Sequence, residues 1–228
     1  EGMKQIPFQF NVIRDKAFYG STGLIPEKTG EPLSLLKLET PQPEKRVDVF
    51  RADDFDLLAD SPLMYAKGDT AIIKVGKTEV LIGSYSPNAR ISAKEIANSV
   101  REVLMAQKEY LGGDLPVDKY AFIFYFTDQP VMSYGALEHS YSSFYYMPET
   151  SIDRMNQNLR DFAAHEFFHI VTPLNIHSEE IGQFDFNDPK MSKHLWLYEG
   201  VTEYFAGNMQ VKHGLISPEQ YLNILRQK

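Results

Sequence analysis

Two histidines and a glutamate stand at a spacing that suits a metal ion, in the segment Ala164-His165-Glu166-Phe167-Phe168-His169-Ile170. This is an H-E-x-x-H motif, and in a helix His165 and His169 lie one turn apart on the same face. Two neutral imidazoles at that spacing can chelate one zinc ion. Glu166 lies beside them, where its carboxylate can take a proton from water. The motif alone is only moderately specific, because five-residue patterns also occur by chance.

A second segment, Leu195-Trp196-Leu197-Tyr198-Glu199-Gly200-Val201-Thr202-Glu203-Tyr204, supplies the carboxylates that such a site needs. Glu199 is the candidate third metal ligand. Glu203 follows by four residues and therefore shares its helical face. Glu203 has two interpretations: a solvated surface carboxylate, or an acceptor that holds the ring N–H of a ligand histidine.

Two histidines, one glutamate and a water molecule in the fourth position form a hydrolytic zinc arrangement. The metal polarises the scissile carbonyl and lowers the pKa of water, and Glu166 can pass the proton on to the leaving amine. The sequence therefore predicts one Zn²⁺ per chain and a zinc peptidase that acts on a peptide substrate.

Composition narrows the alternatives. The 228-residue chain has a net charge of −8 and a pI near 5.3, and without a basic cluster it does not suit nucleic acid. No apolar run approaches the ~18 residues of a membrane span, so no transmembrane segment is predicted. The absence of cysteine excludes disulfides and thiolate ligands, and it leaves the compartment open.

The rest of the chain predicts the elements that must position these residues. From residue 47 onward they are a hairpin over 71–83, a helix over 92–111, a buried central strand over 120–126, an edge strand near 141–147, and a helix over 152–171. The segment 172–193 is long for a loop, which is typical of functional or mobile segments. Further helices are expected from Leu195 and from Ser217-Pro218.

At these motifs the chain resembles the gluzincin metallopeptidases and, within them, the glycyl aminopeptidase family. The similarity spans roughly residues 47–228. It is carried by Phe55-Asp56-Leu57-Leu58-Ala59-Asp60-Ser61-Pro62, Gly135-Ala136-Leu137-Glu138-His139, the two metal-site segments and Gln183-Phe184-Asp185-Phe186.

The resemblance implies an α+β fold with a thermolysin-like catalytic domain over 47–228, built from a mixed sheet and active-site helices. Residues 1–46 would be the remnant of a preceding β-rich domain. Relatives continue with further helices and often a PDZ-like domain, so we expect the catalytic domain to be cut at its C-terminal end. The residue that stabilises the oxyanion is expected beyond Lys228.

The resemblance also implies an activity, the removal of amino-terminal glycine or alanine, with His165, His169 and Glu199 as ligands and Glu166 as general base. Gly135-Ala136-Leu137-Glu138-His139 corresponds to the G-x-M-E-N element of the related aminopeptidase N group, with Leu and His replacing Met and Asn. There the glutamate binds the free amine and the backbone pairs with the peptide, which assigns substrate binding to Gly135, Ala136 and Glu138. The alternatives are that Glu138 is an ordinary loop carboxylate, and that the chain is an inactive module that holds peptides without cleaving them.

Overall fold

The structure, a computed structural model, describes residues 4–36 and 42–227. Its strands are β1 Phe8–Asp15, β2 Phe18–Ser21, β3 Pro26–Pro32, β4 Lys45–Ala52, β5 Met64–Lys67, β6 Thr70–Val75, β7 Thr78–Tyr85, β8 Lys119–Thr127, β9 Gly135–His139 and β10 Ser142–Pro148. Its helices are α1 Phe55–Ala59, α2 Ala93–Tyr110, α3 Ile152–Phe168, α4 Glu179–Gly182, α5 Leu195–Lys212 and α6 Pro218–Gln227, with one 3-10 turn at Leu33–Leu36.

A mixed five-stranded sheet, in the order β6-β7-β8-β10-β9, organises the larger part of the molecule. The predicted hairpin is present as β6 and β7, and β8 runs parallel to both β7 and β10. The predicted α+β class is thereby confirmed. Its thermolysin-like detail stays a prediction.

The core lies between this sheet and the helices α2 and α3. The alternate aromatic residues of β8, namely Tyr120, Phe122, Phe124 and Phe126, are fully buried against those helices. The intervening Ala121 and Ile123 are buried on the opposite face. Burial on both faces explains the continuous apolar run of this strand and confirms its predicted central place.

The prediction of an edge strand near residues 141–147 is wrong. Strand β10, which covers the predicted residues 141–147 almost completely, lies between β8 and β9, and the edge of the sheet is β9. Strand β9 is five residues long and none of its side chains is fully buried, so it carries no hydrophobic pattern that a sequence analysis could detect.

Helix α2 begins with the predicted capping box, in which Ser92 and Glu95 exchange hydrogen bonds between side chain and backbone. Helix α3 ends at Phe168, slightly before the predicted Val171, and His169 is its C-cap residue. The segment 172–193 contains the short helix α4, and α5 and α6 begin where they were predicted.

The amino-terminal part forms a three-stranded sheet, β1-β4-β3, and a two-stranded sheet, β2-β5. Residues 1–3 and 37–41 of the predicted β-rich remnant, and Lys228 of the catalytic domain, lie outside the described residues. The boundary at residue 46 stays a prediction. Among the described helices, none has the length and apolar character to cross a membrane.

Candidate metal and peptidase site

Helix α3 and its C-cap residue present His165 and His169 on one side, with their ring centroids 4.9 Å apart. The helix is fixed against the sheet by Phe167, whose buried ring meets Tyr120 edge to face at 4.8 Å. His169 is almost fully buried, and its Nδ1–H donates to the carbonyl of Thr172 at 2.8 Å. This hydrogen bond orients the ring and leaves Nε2 as the atom that can bind a metal.

Glu199 reaches the same point from α5, which packs against α3. Its Oε2 lies 3.0 Å from Nε2 of His165 and 3.9 Å from Nε2 of His169. One ligand atom from each of the three residues falls within 4.8 Å of the others. The hydrogen bond from His165, together with the charges of both histidines, lowers the pKa of Glu199 despite its partial burial. Its carboxylate is therefore ready to act as an anionic ligand.

His165 lies between two carboxylates. Its Nδ1 is 2.9 Å from Oε2 of Glu203, on the opposite side of the ring from Glu199. Burial alone would lower the pKa of His165, but the hydrogen bonds to Glu199 and Glu203 outweigh it and raise the pKa to about 9. The pocket thus favours a positive charge between these groups, a charge that a divalent cation can supply instead of a proton.

The donor set suits zinc. Two imidazole nitrogens and one carboxylate oxygen are the ligands of hydrolytic zinc sites, and each histidine has an acceptor on its other ring nitrogen. The residues present therefore fit the predicted Zn²⁺.

Glu166 is the buried acid beside this cluster. Its side chain is 6% exposed, and Oε2 has no hydrogen-bond partner within the described part of the chain. Burial raises the pKa of Glu166 to about 7, because His165 only partly offsets the effect of burial and of the carboxylates Glu138 and Glu199. A carboxyl that titrates near neutral pH can both accept and release a proton.

Glu138 approaches from the edge strand β9. Its carboxylate, that of Glu166 and a ring nitrogen of His169 also lie within 4.8 Å of one another. A cavity of about 490 Å³ extends from the site between β9 and the helices, and its lining includes Gly135, Ala136 and Glu203. The structure therefore brings all the predicted site residues together. Their roles stay predictions.

Two features of the site have little or no signal in the sequence. The acceptor for His169 is a backbone carbonyl, that of Thr172, and any residue type could provide it. Asp60 contacts Ser140 at the end of β9, although the two residues are about eighty positions apart in the chain. Two other histidines have partners away from the candidate metal-ligand atoms: Nδ1 of His177 contacts the carbonyl of Pro173 at 2.9 Å, and Nδ1 of His213 lies 3.7 Å from the carboxylate of Glu109.

Comparison with known proteins agrees with this geometry. Residues 158–228 match the family model of the M61 glycyl aminopeptidases. No curated relative matches the sequence. Among solved structures, an aminopeptidase N family protein from Idiomarina loihiensis is similar with a TM-score of 0.74 and 18% identity, over 97% of this chain. This chain spans 37% of the length of that protein.

The structural likeness shows a shared fold, and the family match falls on the segment that carries His165, His169, Glu199 and Glu203. The family match supports a peptidase, and it confirms that this chain is similar to the glycyl aminopeptidases over residues 158–228.

Proposed function

We propose that this chain carries the catalytic centre of a zinc-dependent aminopeptidase that removes glycine or alanine from peptide amino termini. The observation that carries the proposal is the convergence of His165, His169 and Glu199 beside Glu166. The buried Oε2 of Glu166 has no hydrogen-bond partner among the described residues. Such a set is costly to bury unless a cation and a water molecule complete it.

Each residue has a defined task in this proposal. His165, His169 and Glu199 would hold the metal, which when bound supplies a Lewis acid that polarises the scissile carbonyl and acidifies water. Glu166 takes the proton from the attacking water and gives it to the leaving amine, a role that suits a buried carboxyl beside the metal ligands. Thr172 and Glu203 orient the two imidazoles.

Substrate selection is assigned to strand β9. Its edge is open among the described strands, so the backbone at Gly135 and Ala136 can pair with an extended peptide. Glu138 lies next to Glu166 and can bind the positively charged amino terminus. The preference for glycine and alanine is supported by the description of the matched family. A PDZ-like domain in the longer protein also stays a prediction.

The rival is a peptide-binding module that keeps the fold and the metal but does not cleave. The deciding experiment measures turnover of glycyl and alanyl chromogenic amides by zinc-loaded protein, before and after a chelator and again after zinc is restored. Turnover that disappears and returns supports the peptidase. Bound zinc and a bound peptide without any turnover would favour the binding module.

A further inference from the structure

Strand β9 has little to hold its register. It pairs with β10 alone among the described strands, over five residue pairs from Gly135↔Tyr146 to His139↔Ser142. Because side chains alternate between the two faces of a strand, a slip by one residue would turn every side chain of β9 to the opposite face. The position of Glu138 therefore depends on whatever fixes the end of this strand.

The two faces of β9 have different surroundings. Ala136 packs against the core beneath α3, and Glu138, two residues on, lies beside Glu166 and His169. His139 follows directly and therefore points to the other face. There it meets Asp60, which lies outside the group of residues that surround the candidate metal.

The carboxylate of Asp60 binds the end of β9 through both of its oxygens. Oδ1 lies 2.7 Å from Nδ1 of His139. Oδ2 accepts hydrogen bonds from the backbone N–H of Ser140 at 2.8 Å and from its hydroxyl at 2.6 Å. Three contacts to two consecutive residues fix both the direction and the register of the strand at the turn into β10.

Asp60 is itself well supported. It is the C-cap residue of α1, and its N–H donates to the carbonyl of Asp56 at 2.9 Å. The side chain of Asp54 caps the other end of this helix, and the hydroxyl of Ser61 donates to the carbonyl of Leu57. The short helix thus provides a rigid anchor from a distant part of the chain.

We propose that Asp60 is a positioning residue that locks the register of β9 and so holds Glu138 at the site where the substrate amine binds. The claim that Glu138 binds the substrate amine rests on the proposed function. The claim that Asp60 fixes the register of β9 does not, since it follows from the contacts of Asp60 alone.

The experiment compares Asp60→Asn with Asp69→Asn in the zinc-loaded chain. Asp69 is a suitable control, because its carboxylate accepts the backbone N–H of Ala93 at 2.9 Å and it precedes β6, the opposite edge of the sheet. Hydrogen–deuterium exchange is measured for the peptide spanning 135–141. In addition, KM and kcat are measured for a glycyl amide and for its acetylated form.

For Asp60→Asn we expect exchange in β9 to be about tenfold faster, the effect of losing one hydrogen bond to a charged group. We expect KM for the free-amine substrate to rise by a similar factor of about ten. Zinc content should not change, and KM for the acetylated form should rise by a smaller factor, because that substrate uses the backbone of β9 but not the charge of Glu138. Asp69→Asn should alter neither exchange in β9 nor the preference for a free amine.

Other outcomes would overturn the proposal. Unchanged exchange in β9 would show that Asp60 does not fix the register of this strand. Faster exchange with an unchanged preference for the free amine would show that Asp60 does not position Glu138. If Asp60→Asn does not fold, Ser140→Ala removes only the hydroxyl contact and is judged by the same two measurements. If the wild-type chain binds zinc but shows no turnover, the proposed function fails for this chain, and exchange in β9 then decides on the lock alone.

Discussion

Oε2 of Glu203 lies 2.9 Å from Nδ1 of His165, while the other nitrogen of the same ring lies 3.0 Å from Oε2 of Glu199. The two glutamates are one turn apart on α5. The imidazole is thus held from both sides by one helix. Its Nε2 faces Glu199, the candidate third metal ligand, and its Nδ1 faces Glu203, which orients the ring.

The first prediction concerns Glu203. Glu203→Ala should fold normally but bind zinc about 10–100-fold more weakly, because an unsupported imidazole is a poorer and less well oriented ligand. Competition with a chromogenic chelator measures the affinity. Glu102→Ala, which removes a glutamate from the exposed face of α2, is the control. Equal zinc affinities in the two variants would mean that Glu203 is a solvated surface carboxylate without a role in metal binding.

The second prediction concerns the exchange of a proton for the metal. At pH 8 the metal-free site holds a proton on His165, whose pKa is about 9, so zinc binding should release this proton in addition to the one lost by the metal-bound water. Titration calorimetry in buffers of different ionisation enthalpy gives the number of protons released per zinc ion bound. Since His165 is already deprotonated above its pKa, the count should fall by about one as the pH rises through 9. A count that does not depend on pH would mean that His165 is not the group displaced.

The third prediction concerns Glu166. Glu166→Gln keeps the size of the side chain but cannot take a proton, so zinc content should be normal and turnover should fall by ~10²–10⁴-fold. Metal analysis and steady-state kinetics on the same preparation separate the two effects. A loss of less than about tenfold would assign the general base elsewhere.

The sequence could predict the parts of this molecule that depend on local pattern. The H-E-x-x-H spacing, the carboxylates of α5 and the apolar run of β8 all express a fixed helical or strand period, and the structure has them in place. The capping box at Ser92 is local in the same sense.

Other features depend on contacts between distant residues and could not be predicted. Strand β9 is short and only partly buried, so it has no clear hydrophobic pattern, and the prediction of β10 as the edge strand is wrong. The contact of Asp60 with Ser140 joins residues far apart in the chain, and a lone aspartate after a short helix does not indicate its partner. Thr172 contributes only a backbone atom, which no residue type identifies.

The fourth prediction concerns stability in acid. Asp48 is buried, and it accepts hydrogen bonds from Arg14, Thr29, Gly30 and Tyr65. Burial would raise the pKa of Asp48, but these hydrogen bonds outweigh it and hold the pKa below its ordinary value. The stabilisation is therefore fully present above pH ~4, the pKa of aspartate in an unfolded chain, and is lost as the pH falls through the lower folded value.

Asp48→Asn should consequently be less stable than the wild type at pH 7, by about 1.5–3 kcal/mol, because it removes the charged partner of Arg14, whose side chain is 11% exposed. The difference should shrink as the pH falls below ~4. Urea unfolding between pH 2 and pH 7 measures both statements. A difference that is constant over this range would mean that the charge of Asp48 does not contribute.

The last prediction is amino-terminal selectivity, and it depends on Glu138. A carboxylate so close to that of Glu166 is stabilised by a positive charge, and the free amine of a substrate supplies one. An acetylated terminus would leave Glu138 desolvated and unpaired, which costs about 1–3 kcal/mol, or about 5–150-fold in kcat/KM. Free-amine glycyl and alanyl substrates should therefore be cleaved well and acetylated ones poorly. Glu138→Gln, which keeps the shape and removes the charge, should narrow the gap mainly through KM for the free amine. Equal cleavage of free and blocked peptides by the wild type would make the protein an endopeptidase and remove the role of Glu138.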